Sequence, residues 1–292
     1  MPAPAPRLFV LGAGRAGLGV AHAVAAARGV VTGVHGRRPL PAAGAVPGVT
    51  AGALPPAALG AATLVLVAVQ DRVLDEALAQ VEECARAGAL ASDAAVLQAS
   101  GSAEPAGFAS LRARGVPCGT FHPLVPLAEP VQAPGLLRGA WVGVDGEPAA
   151  EGAARALATL VGAHALRIPA GEKGRYHAAA VFASNFPIVL AAVAERLLAQ
   201  AGVDAGEARP AVRHLLSSAA SNLARGDDAA LALTGPVVRG DAPTVRLHLA
   251  ALAADPGADA AYRALAREAL SLARAAGTPP AALVEVEALL GR

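Results

Sequence analysis

Leu8-Phe9-Val10-Leu11-Gly12-Ala13-Gly14-Arg15-Ala16-Gly17 decides the fold of this chain. Four apolar residues of β type run straight into a GxGxxG turn, and a helical pattern follows to Arg28. Strand, tight turn and helix come in the order that a dinucleotide site needs. Gly12 permits the sharp turn, Gly14 lets the backbone approach a pyrophosphate, and Gly17 lets helix and strand pack closely. With Ala13, Arg15 and Ala16 the glycines form the start of a helix, whose free N–H groups and positive dipole end suit phosphates. The fitting flanks separate this stretch from an ordinary glycine-rich turn.

Beyond this stretch, strands and helices alternate as far as residue 168. Strands are expected at 8–11, 30–35, 63–69, 95–99, 116–121, 141–144 and 164–168, and helices at 15–28, 72–86, 105–114 and 148–161. The strand runs are continuously apolar, as in a parallel sheet covered on both faces, so the pattern predicts a doubly wound α/β sheet. After 168 the character changes. A linker at 169–174 leads to a long apolar helix at 175–201, where Asn185-Phe186-Pro187 marks a possible kink. Helices follow at 205–225, 243–254, 258–276 and 280–290. The expected organisation is a Rossmann-like nucleotide-binding domain at 1–168 and an all-helical domain at 169–292.

Composition narrows the function. The 292 residues are 54% hydrophobic but only 3% aromatic, so the core must be built from Val, Leu and Ala. A net charge of +1 with no basic run argues against nucleic acid and anionic membranes as partners. Cys84 and Cys118 form no CxxC pair and read as buried thiols in a reducing compartment. No stretch is expected to span a membrane, which gives a cytoplasmic reading with a small molecule as substrate. No His, Cys or carboxylate spacing suggests a metal, and neither GxSxG nor GxxxxGK[ST] occurs. Of the 24 basic residues only Lys173 is Lys, which singles it out for work such as proton transfer that Arg cannot do.

The second strand ends Val34-His35-Gly36-Arg37-Arg38. NAD sites usually carry a carboxylate here for the ribose 2′-OH, whereas two guanidiniums pair with a 2′-phosphate. This favours NADP; the bland alternative is a solvated turn. Val69 and Gln70, after the third strand, are expected to line the cofactor, and Asp71 to cap the next helix. After the fourth strand, Ser100 and Ser102 offer hydroxyls beside a nicotinamide, unless Ser102 simply caps a helix. His122 follows the fifth strand and is a candidate hydrogen-bond partner or acid/base. Lys173 and His177 share a helix face if the helix begins by Lys173, about 6 Å apart along the axis, with Asn185 about 12 Å further on. Either could supply the proton that a carbonyl oxygen needs as hydride arrives. Near the end, Asp241 can cap a helix starting near Pro243, while Arg239 either anchors a carboxylate or pairs with Asp241.

Three motifs carry a family resemblance: Phe121-His122-Pro123-Leu124, Tyr176-His177 with Ser184-Asn185, and Leu233-Thr234-Gly235-Pro236 with Arg239-Gly240-Asp241. In these the chain resembles a family of oxidoreductases of unassigned reaction, with a Rossmann-like first half and a helical second half. That family lies in the superfamily of 6-phosphogluconate dehydrogenase, ketopantoate reductase and pyrroline-5-carboxylate reductase. The resemblance implies a site between the domains and a homodimer formed through the helical one. Relatives place a Lys near this helix start with an Asn one turn later; Lys173 matches the first, and His177 stands where the Asn would be. The His-Pro pair is similar to that of prephenate dehydrogenases, where the His lies near substrate. The implied activity is NADP-dependent reduction of a small carbonyl, with a 2-keto acid such as ketopantoate as substrate. His177 or Lys173 would give the proton, and His122, Asn185 and Ser100 or Ser102 would hold the substrate. The alternatives are a non-catalytic NADP-binding sensor and a reductase of a cyclic imine.

Overall fold

A computed structural model describes residues 5–225 and 228–291. The chain divides into two compact units, Met1–Ser184 and Asn185–Arg292. In the first, β1 (Arg7–Leu11), α1 (Arg15–Ala26), β2 (Val30–Gly36), β3 (Val49–Ala51), β4 (Leu64–Val67), α2 (Leu74–Arg86) and β5 (Ala95–Gln98) are followed by α3 (Gly107–Ala113) and β6 (Cys118–Pro123). Then come α4 (Ala133–Leu137), β7 (Trp141–Gly146), α5 (Pro148–Leu160), β8 (His164–Arg167) and α6 (Lys173–Gln200). The division between the units falls inside α6.

One eight-stranded sheet runs β3-β2-β1-β4-β5-β6-β7-β8. Strand order reverses beside β1, which pairs with β2 on one side and β4 on the other. A crevice at the carboxyl ends of these strands is where ligands bind in open α/β sheets. Successive β1 residues serve opposite faces, as a strand's two-residue period requires. Leu8 and Val10 join a core with Val20, Val24, Leu64 and Leu66, while Phe9 and Leu11 join Val65, Val67, Leu78 and Val96 on the other face. Each such side chain contributes about 1.5–3 kcal/mol by leaving water.

All seven expected strands are present, and the sheet departs from the expected parallel pattern at one place. β7 lies antiparallel to β6, with Phe121 opposite Val144 and His122 opposite Gly143. The connection at 124–140 does not cross the sheet with a full helix. It instead lays α4 on α1, where Gly19 leaves room for Ala133 and Leu127. The short β3 is an added edge strand, held to β2 by three residue pairs. Cys84 and Cys118 are free and buried. Burial, with Glu147 nearby, pushes the Cys118 thiol up to about 12.

The second unit holds the rest of α6 and α7 (Ala205–Arg225), α8 (Ala229–Ala232), α9 (Pro236–Arg239), α10 (Ala242–Leu252), α11 (Pro256–Ala275) and α12 (Pro280–Leu290). Its core gathers Ala242, Val245, Ala266, Leu270, Leu283 and Val286. Asp241 caps α10, accepting from the Thr244 N–H at 3.1 Å and its hydroxyl at 2.7 Å. Arg239 stands 4.0 Å from the same carboxylate, which is the loop pairing rather than a free anchor. Residues 176–194 contain no Asp, Glu, Lys or Arg. Thus, against expectation, α6 is one helix among the described residues long and apolar enough to cross a membrane by length and composition, with a mean hydropathy of 1.7 over 18 residues.

Candidate active site

The glycine turn is built as the sequence requires. Gly12 has φ +118°, and its N–H donates to the His35 carbonyl at 2.8 Å. A side chain there would overlap the Ala68 carbonyl, so the turn can hug β4 only without one. A Cβ on Gly17 would overlap the Gly12 carbonyl and lie 2.9 Å from Val10, so this glycine sets the helix–strand approach. Gly14 differs: nothing lies within 4 Å of where its Cβ would be. It is the N-cap of α1, with no side-chain cap bond and no acidic residue in the first turn. The uncapped start of α1 thus joins a positive dipole end to open space at Gly14, a setting for an anion.

The strands on either side meet this turn. Ala13 packs against Gly36 at the end of β2, and Val69 against Gly12. Beyond Gly36, Arg37 and Arg38 are exposed and have no ion-pair or hydrogen-bond partner among the described residues. Arg15 is exposed and Ala16 half-buried at the helix start. His35 is buried, with its ring nitrogens 2.9 Å from the Thr50 hydroxyl and 3.2 Å from the Gly52 carbonyl, so it braces β2 against β3.

A second group of side chains forms across the loops after β4 and β5, strands β6 and β7 and the start of α6; His122, expected just after a strand, is within β6. Gln98, fully buried, donates to the Thr120 hydroxyl and the Ser100 carbonyl, each at 2.9 Å, and accepts from the Ser100 N–H. This pins the loop after β5. The Ser100 hydroxyl accepts from the N–H groups of Ser102 and Ala103 at 3.2 and 3.1 Å. Ser100 is therefore the turn former, whereas Ser102, expected as a helix cap, donates to Asp71 at 3.0 Å. Asp71 caps no helix: it opens a short 3-10 turn, and α2 starts from Val73 without a side-chain cap. Gln70 is exposed and accepts from Arg72 at 3.0 Å.

His122 lies against Gly101, where a Cβ would come within 2.7–2.9 Å of the imidazole. Its Nδ1 is 2.8 Å from the Tyr176 hydroxyl. The rings of Tyr176 and His177 stand edge-on to it, with centroids at 5.6 and 5.8 Å. Burial, then the neighbouring His177, lowers the His122 pKa to about 4 against a smaller opposing pull from Asp71. The ring is neutral near pH 7 and is held as a hydrogen-bonding group. Burial also raises the Tyr176 phenol to about 12. The Nδ1 of His177 is buried and has no hydrogen-bond partner among the described residues.

Lys173 is 3% exposed. Its ammonium is 3.0 Å from Asp145, 3.0 Å from the Ala103 carbonyl and 3.5 Å from Glu104. One hydrogen bond, to the Ala103 carbonyl, and two ion pairs hold the ammonium. Lys173 thereby ties the first turn of α6 to β7 and to the loop after β5. The helix does begin by Lys173, so Lys173 and His177 are one turn apart as expected. Ser184 donates back to the Ala180 carbonyl at 2.8 Å, and Asn185 opens the second unit. Tyr176, Asp145, Gln98 and Thr120 were missed as site residues by sequence reasoning. Only Tyr176 left a signal, as one of two tyrosines and the neighbour of His177.

Residues 140–269 match a family described as a domain of unknown function (DUF2520). No curated protein matches the chain. Among solved structures, protein TM1727 from Thermotoga maritima is 22% identical with a TM-score of 0.70, covering 92% of this chain and 99% of that one. A pyrroline carboxylate reductase from Plasmodium falciparum with NADP bound is 10% identical with a TM-score of 0.59, covering 97% and 98%. An imine reductase variant from Myxococcus stipitatus in complex with NAD+ is 17% identical with a TM-score of 0.53, covering 97% and 100%. At such identities the likeness is one of fold, and the fold it bears out is a Rossmann-like first half followed by a helical second half.

Proposed function

We propose that this chain is an NADP-dependent reductase of a small substrate with a C=N or C=O bond. The observation that carries the reading is the turn at 12–17, where open space above Gly14 meets the uncapped start of α1. The residues fit the cofactor. Ala13, Gly14, Arg15 and Ala16 would hold the pyrophosphate, Gly12 and Gly17 shaping the turn beneath it. Arg37 and Arg38, charged and unpartnered, would take the 2′-phosphate. Val69, Gln70 and Ser100 would line the rest. NADPH, when bound, supplies a hydride.

The chain's own residues orient the substrate and move a proton. His122, neutral, serves as a hydrogen-bond donor rather than an acid. His177, beside it with an unpartnered Nδ1, is the proton donor in this reading. Lys173 holds the helix start, and Asn185 on the same helix is retained as a substrate contact. The Lys173 ammonium is held by Ala103, Asp145 and Glu104 rather than standing free as the acid that the likeness to reductases of 2-keto acids such as ketopantoate would give it. That favours a cyclic imine, and the name of the Plasmodium falciparum enzyme adds support. The reading also takes the chain to be a cytoplasmic homodimer. Support comes from exposed apolar side chains on α6 and α7, among them Ile188, Val189, Leu215 and Leu223, and from the buried free thiols.

The test is NADPH oxidation by the full chain against a panel of 2-keto acids and cyclic imines, with sedimentation for the dimer. Turnover of a cyclic imine supports the reading. Turnover of a 2-keto acid alone returns the substrate to the carbonyl class. Tight NADPH binding with no turnover on either class makes the chain a sensor.

A further inference from the structure

We propose that Tyr176 is a positioning residue that fixes His122 in the tautomer protonated on Nε2, so that the ring presents an N–H donor to the reacting group. The donor's purpose rests on the reductase reading; the tautomer itself rests on geometry alone.

Proton bookkeeping around one phenol oxygen leads there. The phenol sits over Gly143 because any side chain at that position would overlap its hydroxyl. The phenol has one hydrogen to give. The His122 Nδ1, at 2.8 Å, is its acceptor among the described residues. The opposite tautomer would leave the phenol hydrogen without an acceptor in a half-buried place, a costly arrangement. A neutral imidazole whose Nδ1 accepts carries its hydrogen on Nε2. That nitrogen has no hydrogen-bond partner among the described residues, so its N–H is available.

The surroundings keep the ring in this state. Gly101 supplies a flat wall with no side chain to turn the imidazole. The charged or titratable groups facing it are Asp71 from the loop after β4, and His177 and Tyr176 itself from α6, with Asp145 of β7 acting on the phenol. His122 stays neutral among them, so the donor persists across the physiological range. Tyr176 does this without touching the reacting atoms.

The experiment is two-bond proton–nitrogen correlation of the imidazoles in the nitrogen-15-labelled full chain, without nucleotide. Wild type is expected to show His122 protonated on Nε2. In Tyr176→Phe the ratio of the two tautomers should fall by up to about tenfold, the worth of one hydrogen bond. Incorporation of 3-fluorotyrosine, a stronger donor that keeps the side chain's shape, should move the His122 Nδ1 resonance and covers the case in which Tyr176→Phe does not fold. The proposal is overturned if wild-type His122 is protonated on Nδ1, or if neither replacement changes its nitrogen resonances. Failure of NADPH binding would leave this result standing, and a wrong tautomer would leave NADPH binding intact, so the two claims fail separately.

Discussion

The turn at 12–17 and the cluster around the start of α6 are made by different means. The turn is made by the backbone: Gly12 and Gly17 are defined by what a side chain would strike, and Gly14 by what it would not. The cluster is made by side chains from distant parts of the chain. Lys173 reaches Ala103, Glu104 and Asp145, and Tyr176 reaches His122. The first kind of site is encoded locally. The second exists only once the sheet has brought its loops together.

Substitutions that treat the two regions differently test this contrast. The largest expected effect is at Lys173. Lys173→Met leaves Asp145, one-fifth exposed, without its cation, and should cost about 3 kcal/mol of stability in urea unfolding. A variant that keeps full stability and loses only turnover would show instead that Lys173 is a free catalytic acid. In the turn, Gly17→Ala should cost about 3 kcal/mol, since the new methyl strikes backbone that cannot move aside. Gly14→Ala should fold as wild type and weaken NADPH binding, so equal destabilisation by the two replacements would contradict the assigned roles.

The cluster should also make stability depend on pH. Unfolded, His122 titrates near 6.5; folded, near 4. Between these values the unfolded chain binds more protons, so His122's contribution is full above pH 6.5 and is lost as pH falls toward 4. The change is about 3 kcal/mol over that window. Unfolding free energies at pH 7 and pH 4.5 should differ less in His122→Gln than in wild type; an equal difference would place the pH sensitivity elsewhere. The smallest effect is expected at the end of β2. Replacing Arg37 and Arg38 with Ala should weaken NADPH binding by about 10- to 100-fold and leave NADH unchanged. Equal losses for both nucleotides would deny these residues the 2′-phosphate.

What the sequence revealed follows the same division. The seven long strands were legible because continuous apolar runs such as Leu64–Val67 fit a sheet buried on both faces. β3 was not, since its three residues include the exposed Thr50 and Ala51. The reversal of β7 was illegible because direction is decided by the path of 124–140, where α4 docks on α1. Asp241 was read correctly as a cap because capping is local. Asp71 was misread because its partner, Ser102, lies 31 residues away. Lys173 was rightly singled out as unusual, yet residue type alone cannot reveal that a carbonyl and two carboxylates await it.

Equilibrium titration of the purified full chain with NADPH and with NADH, followed by calorimetry, decides whether the turn at 12–17 holds a dinucleotide. Saturable binding with NADPH favoured by about tenfold or more is the expected result. Absence of measurable heat and affinity for either dinucleotide would contradict it.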